Sequence, residues 1–208
     1  TTIMDFIGDG LARGLRLIWG LDPEVLRVTG LSLGVSLAAT LIAACLATPL
    51  GLLIGLARFP GRRGLIVLFN TLLALPTVVV GLLVYAALSA KGPLGFLELL
   101  YTPTAMTVAQ AILAAPVIVA LSIAAVRALD RRAAPTALTL GASRWQAALA
   151  VIGEARLALL AALAAAFGRV LTEVGAAIMV GGNIRHYTRT LTTAIVLETS
   201  KGEFERAI

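Results

Sequence analysis

Residues 28–57 read VTGLSLGVSLAATLIAACLATPLGLLIGLA, and this apolar run decides the class of fold. The run is longer than the roughly 20 residues that a helix needs to cross a bilayer, so tilt or protrusion from the membrane is expected. Two glycine pairs, Gly30/Gly34 and Gly51/Gly55, have the four-residue spacing that lets another helix approach closely. The run is therefore predicted to be a membrane-spanning helix.

Three more apolar runs follow along the chain, at residues 65–90, 104–129 and 155–180. The segments between the four runs are a basic turn, a loop rich in Gly and Pro, and a stretch of mixed polarity, at residues 58–63, 91–103 and 130–153. Prolines fall inside three of the runs, at Pro49, Pro76 and Pro116. They are interpreted either as hinges or as the prolines that membrane helices often tolerate.

The composition supports a membrane protein. Hydrophobic residues make up 59% of the chain and charged residues 13%, whereas soluble domains carry about 25% charged residues. So few charged side chains cannot coat a surface that faces water. The composition suits helices packed through small residues better than a β-barrel, whose strands would alternate apolar and polar residues. The prediction is an all-α polytopic transmembrane bundle that forms one domain over residues 1–208.

The net charge of +6 is explained by orientation in the membrane. Most arginines lie in short segments between apolar runs, as the positive-inside rule requires, and no basic stripe with interleaved aromatics indicates nucleic-acid binding. The residues assigned to the cytoplasm are the basic ones at positions 58, 62, 63, 127, 131, 132, 144 and 156. The 91–103 and 181–205 loops and the N-terminus are then predicted to lie outside.

The two ends of the chain carry separate predictions. Residues 1–23 have apolar positions at helical spacing, which indicates an amphipathic helix at the membrane interface or an ordinary helix on the flank of the bundle. Residues 191–208 are amphipathic and then acidic. Four spans with both ends outside would be unusual, so a truncated fifth span is expected to begin near Glu205.

The cytoplasmic segment 130–153 contains a helix–glycine–helix pattern. Gly141 permits a sharp turn, Ser143 can cap the helix that follows, and Trp145 offers a large apolar side chain with a polar edge. Such a turn suits docking into a groove on another protein. The alternative is a simple connecting hairpin.

The stretch Leu140-Gly-Ala-Ser-Arg-Trp145, with Val151 ten residues after Gly141, resembles the EAA loop of binding-protein-dependent ABC importer permeases. The family's leading Glu is absent, since Pro135 takes its place, and its closing Leu-Pro falls on Gly153-Glu154. The resemblance implies the type I importer permease fold. It also implies contact with an ATPase subunit through Ala137, Leu138, Leu140, Gly141, Ala142, Ser143, Arg144, Trp145 and Val151.

A second stretch narrows the family. Residues 167–183, FGRVLTEVGAAIMVGGN, and the ending Leu197-Glu-Thr-Ser-Lys-Gly-Glu-Phe204 resemble tungstate importer permeases. Molybdate and sulfate permeases share a shorter Gly-Glu-x-Gly-Ala theme and remain the alternative within the class. His186 stands where a small residue is expected, a departure that could alter the outer loop.

Two groups of polar residues near the fourth run are candidates for the transport path. Arg169 and Glu173 are four positions apart, so they are expected to share a helix face, as a structural ion pair or as a pair beside the path. The outer loop residues Gly182, Asn183, Arg185, Thr188 and Arg189 are interpreted first as a gate or docking surface. Direct contact with the anion, through Arg and backbone N–H groups, is the second interpretation.

The resemblance implies a set of partners and no enzymatic activity in this chain. Two copies would form the path, with two ATP-binding cassette subunits and a periplasmic or extracellular oxyanion-binding protein, in the cytoplasmic membrane of a prokaryote. No Gly-x-x-x-x-Gly-Lys motif is present, so ATP and Mg²⁺ are assigned to the partner, and no cofactor to this chain. A secondary transporter is the rival class, but no internal repeat supports it.

Overall fold

The structure is a computed structural model that describes residues 19–20, 22–57, 59–129 and 139–202, without the side chain of Arg144. Every regular element in these ranges is a helix. The elements are α1 (Pro23–Leu56), α2 (Arg62–Leu72), α3 (Thr77–Leu88), a 3₁₀ turn (Gly95–Leu97), α4 (Pro103–Ala128), α5 (Arg144–Leu171), α6 (Gly175–Gly181) and α7 (Leu191–Ser200). The segment predicted as an N-terminal amphipathic helix falls almost wholly outside the described residues, as does the start of the expected fifth span.

The described helices confirm the predicted polytopic membrane fold. Three of them are long and apolar enough to cross a membrane: α1, α4 and the Trp145–Leu171 part of α5. A fourth span is counted if α2 and α3 are taken as one broken span, because the chain bends sharply between them. Helices α1 and α4 lie close to the runs predicted at 28–57 and 104–129.

The run predicted as one helix over 65–90 is broken in the structure. Helix α2 ends at Leu72 and α3 begins at Thr77. Tight hydrogen bonds close the end of α2, from the N–H of Leu75 to the carbonyl of Leu72 among others. Pro76 explains the break, because proline has no N–H to donate and disfavours helical backbone in the residue before it.

The bounds predicted for the fourth span, residues 155–180, were wrong. Helix α5 begins earlier, at Arg144, and ends at Leu171, and the separate short helix α6 takes up the rest. Glu173 lies in the irregular link, where its Oε1 accepts a hydrogen bond from the N–H of Ala176 at 3.1 Å. This carboxylate therefore satisfies a donor at the start of α6, which favours a new helix there over continuation of α5.

Side chains close both ends of α1. Asp22 Oδ1 accepts hydrogen bonds from the N–H groups of Glu24 at 2.8 Å and Val25 at 3.1 Å, with Pro23 at the first helical position. At the other end Arg62 donates from Nε to the Ile54 carbonyl at 2.6 Å and from Nη2 to the Gly55 carbonyl at 2.7 Å. These bonds satisfy carbonyls that the end of a helix leaves without partners.

By contacts between Cα atoms the described chain forms two compact units. The first holds the described residues up to Ala38, then Thr77–Gln110, then those from Leu171 onward. In it α3 packs on α6 without intervening side chains, since a Cβ on Gly81 would lie 2.7 Å from the Cα of Ala176. Ser32 Oγ accepts a hydrogen bond from the N–H of Leu191 at 2.8 Å, which ties α1 to the start of α7.

The second unit consists of the described residues in Ala39–Pro76 and Ala111–Val170. In it α1 and α4 meet at Gly51, where a Cβ would lie 2.6 Å from the Cβ of Ser122. Gly55 extends this contact toward Val126. The predicted close approach at the second glycine pair is confirmed. At Gly30 and Gly34 the prediction finds no support within the described chain, because a Cβ would meet nothing within 4 Å.

Candidate functional site

The turn before α5 is built around Gly141. Its φ of +91° lies in the left-handed region, where residues other than glycine are strained. A Cβ at this position would meet nothing within 4 Å, so the backbone conformation, and not crowding, demands glycine. The chain turns here as the sequence predicts, and it presents Leu140 to the outside, with 83% of its surface exposed.

Helix α5 begins with a reciprocal cap. The N–H of Ser143 donates to Gln146 Oε1 at 2.8 Å, and the N–H of Gln146 donates to Ser143 Oγ at 3.3 Å. This arrangement is a capping box, in which two N–H groups of the first turn find side-chain acceptors. Ser143 therefore caps α5, as predicted from the sequence, and the cap fixes the point where the Gly141 turn becomes helix.

The first turns of α5 have a buried side and an exposed side. Ala147 and Val151 are buried, whereas Trp145 is 69% exposed and Leu149 is also exposed. Members of each pair are four residues apart, which places them on one face of the helix. The exposed apolar residues Leu140, Trp145 and Leu149 form a candidate coupling surface. Of the other predicted coupling residues, Ala142 is half-buried, while Ala137, Leu138 and the Arg144 side chain lie outside the described set.

The loop after α6 is held by a buried threonine. Thr188 is fully buried, donates from Oγ1 to the Gly181 carbonyl at 2.5 Å and accepts from the N–H of Ile184 at 2.9 Å. Gly182 closes α6 with a φ of +70°, and a Cβ there would lie 2.8 Å from the Tyr101 ring. Asn183 donates from Nδ2 to the Thr193 carbonyl at 3.3 Å. The predicted outer loop is thus a tightly bonded turn rather than an open strand of polar groups.

The two arginines of this loop lie near one carboxylate, which the sequence did not reveal. Arg185 bonds Glu24 through both Nε and Nη2, at 3.0 and 2.6 Å. Arg189 Nη1 lies 3.9 Å from Glu24 Oε1, and its side chain is only 14% exposed. The hydrogen bonds that Arg185 donates to Glu24 raise the pKa of its guanidinium above the ordinary value. Glu24, in the first turn of α1, therefore binds Arg185 and lies close to Arg189.

Arg169 and Glu173 do not share a helix, contrary to expectation. Arg169 lies in the last turn of α5 and is exposed, whereas Glu173 follows the end of that helix and is buried. Glu173 serves the start of α6 with its carboxylate, and its carbonyl accepts from Thr192 Oγ1 at 3.0 Å. A role of either residue beside the transport path stays a prediction.

Comparison with known proteins places the chain in a family. Residues 47–198 match the model of the binding-protein-dependent transport system inner membrane component family. The tungstate uptake system permease protein TupB of Peptoclostridium acidaminophilum is 38% identical over 205 residues, which cover 99% of this chain and 90% of that protein. The protein of the same name from Campylobacter jejuni is also 38% identical, over 99% of this chain and 86% of its own length.

A third relative is named for anion transport in general. The probable anion ABC transporter permease protein of Haloferax volcanii is 43% identical over 186 residues, covering 87% of this chain and 80% of its own. This chain belongs to the binding-protein-dependent transport system inner membrane component family. It is a multi-pass protein of the prokaryotic inner membrane and a translocation component of an ABC transporter, not an enzyme.

Proposed function

We propose that this chain is the membrane-spanning subunit of an ATP-driven importer for tungstate. The observation that carries the coupling part of the proposal is the Gly141 turn, with the apolar side chains of Leu140, Trp145 and Leu149 exposed beside it. A membrane subunit that is driven from outside needs a rigid, exposed contact for the subunit that drives it. A capped helix that starts next to a glycine turn supplies this contact.

Two copies of the chain line the path in this proposal, because one short bundle cannot easily enclose it. Two ATP-binding cassette subunits, which hold ATP and Mg²⁺, grip the loops over residues 138–151. Their closure on ATP moves the membrane subunits from inward-facing to outward-facing, and a binding protein outside the membrane then releases its oxyanion into the opening. The outer loop with Arg185 and Arg189 acts first as a gate or docking surface for that protein.

Gly141→Val tests the coupling role. A β-branched side chain at a φ of +91° costs about 1–2 kcal/mol, which is enough to shift the turn to another conformation about tenfold. Uptake by the assembled transporter should fall about tenfold while ATP hydrolysis continues. Gly153→Ala is the matched control, since Gly153 is inside α5 with nothing within 4 Å of a Cβ. Unchanged uptake in Gly141→Val would remove the coupling role.

The substrate follows from the relatives. The two proteins named for tungstate uptake match nearly the whole chain at 38% identity, whereas the molybdenum transport permease ModB of Escherichia coli is 31% identical over 88% of it. Molybdate or sulfate is the alternative substrate. Uptake by the reconstituted transporter, with the three anions in competition, decides between them. Displacement of tungstate by molybdate or sulfate at equal concentration would contradict the tungstate assignment.

A further inference from the structure

The turn between α1 and α2 holds a pocket that the transport role does not use. Its volume is about 340 Å³, and its lining consists of Phe59, Gly61, Arg62 and Arg63. None of these lining residues is acidic. The pocket therefore presents positive charge together with one aromatic side chain, at the end of a membrane-spanning helix.

The two arginines of the pocket differ in what they bind. Arg62 is committed to α1, because its Nε and Nη2 donate to the carbonyls of Ile54 and Gly55 at 2.6 and 2.7 Å. Arg63 is exposed and forms neither a hydrogen bond nor an ion pair within the part of the chain that the structure describes. Arg62 thus holds the turn in place, and of the two arginines that line the pocket Arg63 is the one available to a ligand.

Helix α2 continues from this turn with an apolar surface that nothing in the described chain covers. None of its 11 residues is buried, and Val67 and Leu68 are 63% and 49% exposed. At a rise of 1.5 Å per residue α2 is about 16 Å long, too short to cross a hydrocarbon core of about 30 Å by itself. A short helix with arginines at its start and exposed apolar side chains suits the boundary between lipid headgroups and acyl chains.

We propose that this turn and α2 bind an anionic phospholipid. The headgroup phosphate lies on Arg63, whose guanidinium matches phosphate oxygens in charge and in geometry. The acyl chains run along Val67 and Leu68. Charge complementarity favours this ligand. An arginine is attracted to a lipid with a net negative charge more strongly than to a zwitterionic lipid, whose net charge is zero. The proposal does not depend on the identity of the transported anion.

Lipid titration of the purified full chain in neutral detergent tests the headgroup site. Phosphatidylglycerol should raise the unfolding temperature more than phosphatidylcholine. Arg63→Gln should weaken apparent phosphatidylglycerol affinity about fivefold, the value of one arginine near an anionic surface. Arg127→Gln removes an exposed arginine from the last turn of α4, and it should weaken this affinity less than Arg63→Gln does, because Arg127 does not line the pocket. Equal losses in both variants, or equal protection by phosphatidylcholine, would overturn the proposal.

Competition with inorganic phosphate distinguishes a site for a lipid headgroup from a site for a soluble anion. Phosphate at millimolar concentration should leave the stabilisation by phosphatidylglycerol intact. If phosphate abolished it, the ligand of Arg63 would be a soluble anion and not a lipid.

A spin label at Val67→Cys, in a Cys45→Ser background, tests the apolar part of the site. Collisions with oxygen should dominate over collisions with a water-soluble relaxer. Dipolar broadening between two labels would show instead that a second copy of the chain covers α2, and would refute lipid contact there.

Discussion

Arg185 holds the carboxylate of Glu24 at two points, with Nε donating to Oε1 at 3.0 Å and Nη2 donating to Oε2 at 2.6 Å. The two residues are 161 positions apart in the chain, so the pair joins the first turn of α1 to the loop after α6. The pKa of Arg185 is raised by this partner. Because the pKa is raised, the guanidinium stays charged through the physiological pH range. The stability that the ion pair contributes is lost only when the pH rises above the pKa of Arg185.

Breaking this pair should loosen the outer loop. Glu24→Gln and Arg185→Gln should each speed alkylation of a Tyr187→Cys variant by about two- to fivefold, as expected for an exposed ion pair, with Cys45→Ser as background. The double variant should behave like Glu24→Gln alone, because loss of the Glu24 carboxylate already removes its contacts with both Arg185 and Arg189. Raising the salt to about 0.5 M should reproduce the effect in the wild-type loop. Lys201→Gln, which breaks a pair with Glu198 within one helical turn, is the control. Additive rates in the double variant would contradict a direct coupling.

The contact between α3 and α6 should not tolerate a side chain at Gly81. A methyl group there would lie 2.7 Å from the Cα of Ala176, a backbone atom that cannot move alone. Gly81→Ala should therefore lower the free energy of unfolding by about 1–3 kcal/mol. Gly34→Ala places the same methyl group in a helix where nothing lies within 4 Å, and it should leave stability unchanged or slightly higher. Thermal unfolding in detergent measures both, and equal behaviour would argue against the packing.

Thr188 should be the most sensitive hydroxyl of the outer loop. Thr188→Val keeps the side-chain shape but removes a donor to the Gly181 carbonyl and an acceptor for the Ile184 N–H in a fully buried place. The unpaired backbone groups should cost about 1–3 kcal/mol of unfolding free energy. The exposed Thr199 gives the matched control Thr199→Val, for which a change within about 0.5 kcal/mol is expected. A similar loss in both would mean that burial of the hydroxyl does not matter.

Trp145 should matter for assembly and not for folding. It is 69% exposed on the candidate coupling surface, so Trp145→Ala leaves the thermal unfolding of the isolated chain unchanged. Removing a large exposed aromatic from an interface should weaken co-purification of the ATPase subunit by about 2 kcal/mol or more, roughly thirtyfold in affinity. Trp19→Ala removes the other exposed tryptophan and should change neither property. Full retention of the ATPase by Trp145→Ala would exclude this residue from the interface.

Much of the candidate coupling site could be predicted from the chain alone, because its determinants are local. The left-handed turn needs glycine, and the cap needs Ser143 three residues before Gln146, so neighbours in sequence specify both. In the loop after α6 the turn at Gly182 was predicted from the sequence, but the acidic partner of its arginines was missed. Asp22-Pro-Glu24 reads only as a helix start, and no local rule pairs Glu24 with Arg185.

The sequence by itself determined that this protein crosses a membrane with several helices, since 59% hydrophobic and 13% charged residues leave lipid as the main solvent of its surface. It also located the Gly141 turn and, of the four apolar runs, the two that form the single helices α1 and α4. The tertiary structure alone decided which glycines meet another helix, where α5 gives way to α6, and which carboxylate holds the arginines of the outer loop. Periodicity and composition indicate whether a segment faces lipid or water. The three tertiary features instead depend on atoms that folding brings together from distant parts of the chain.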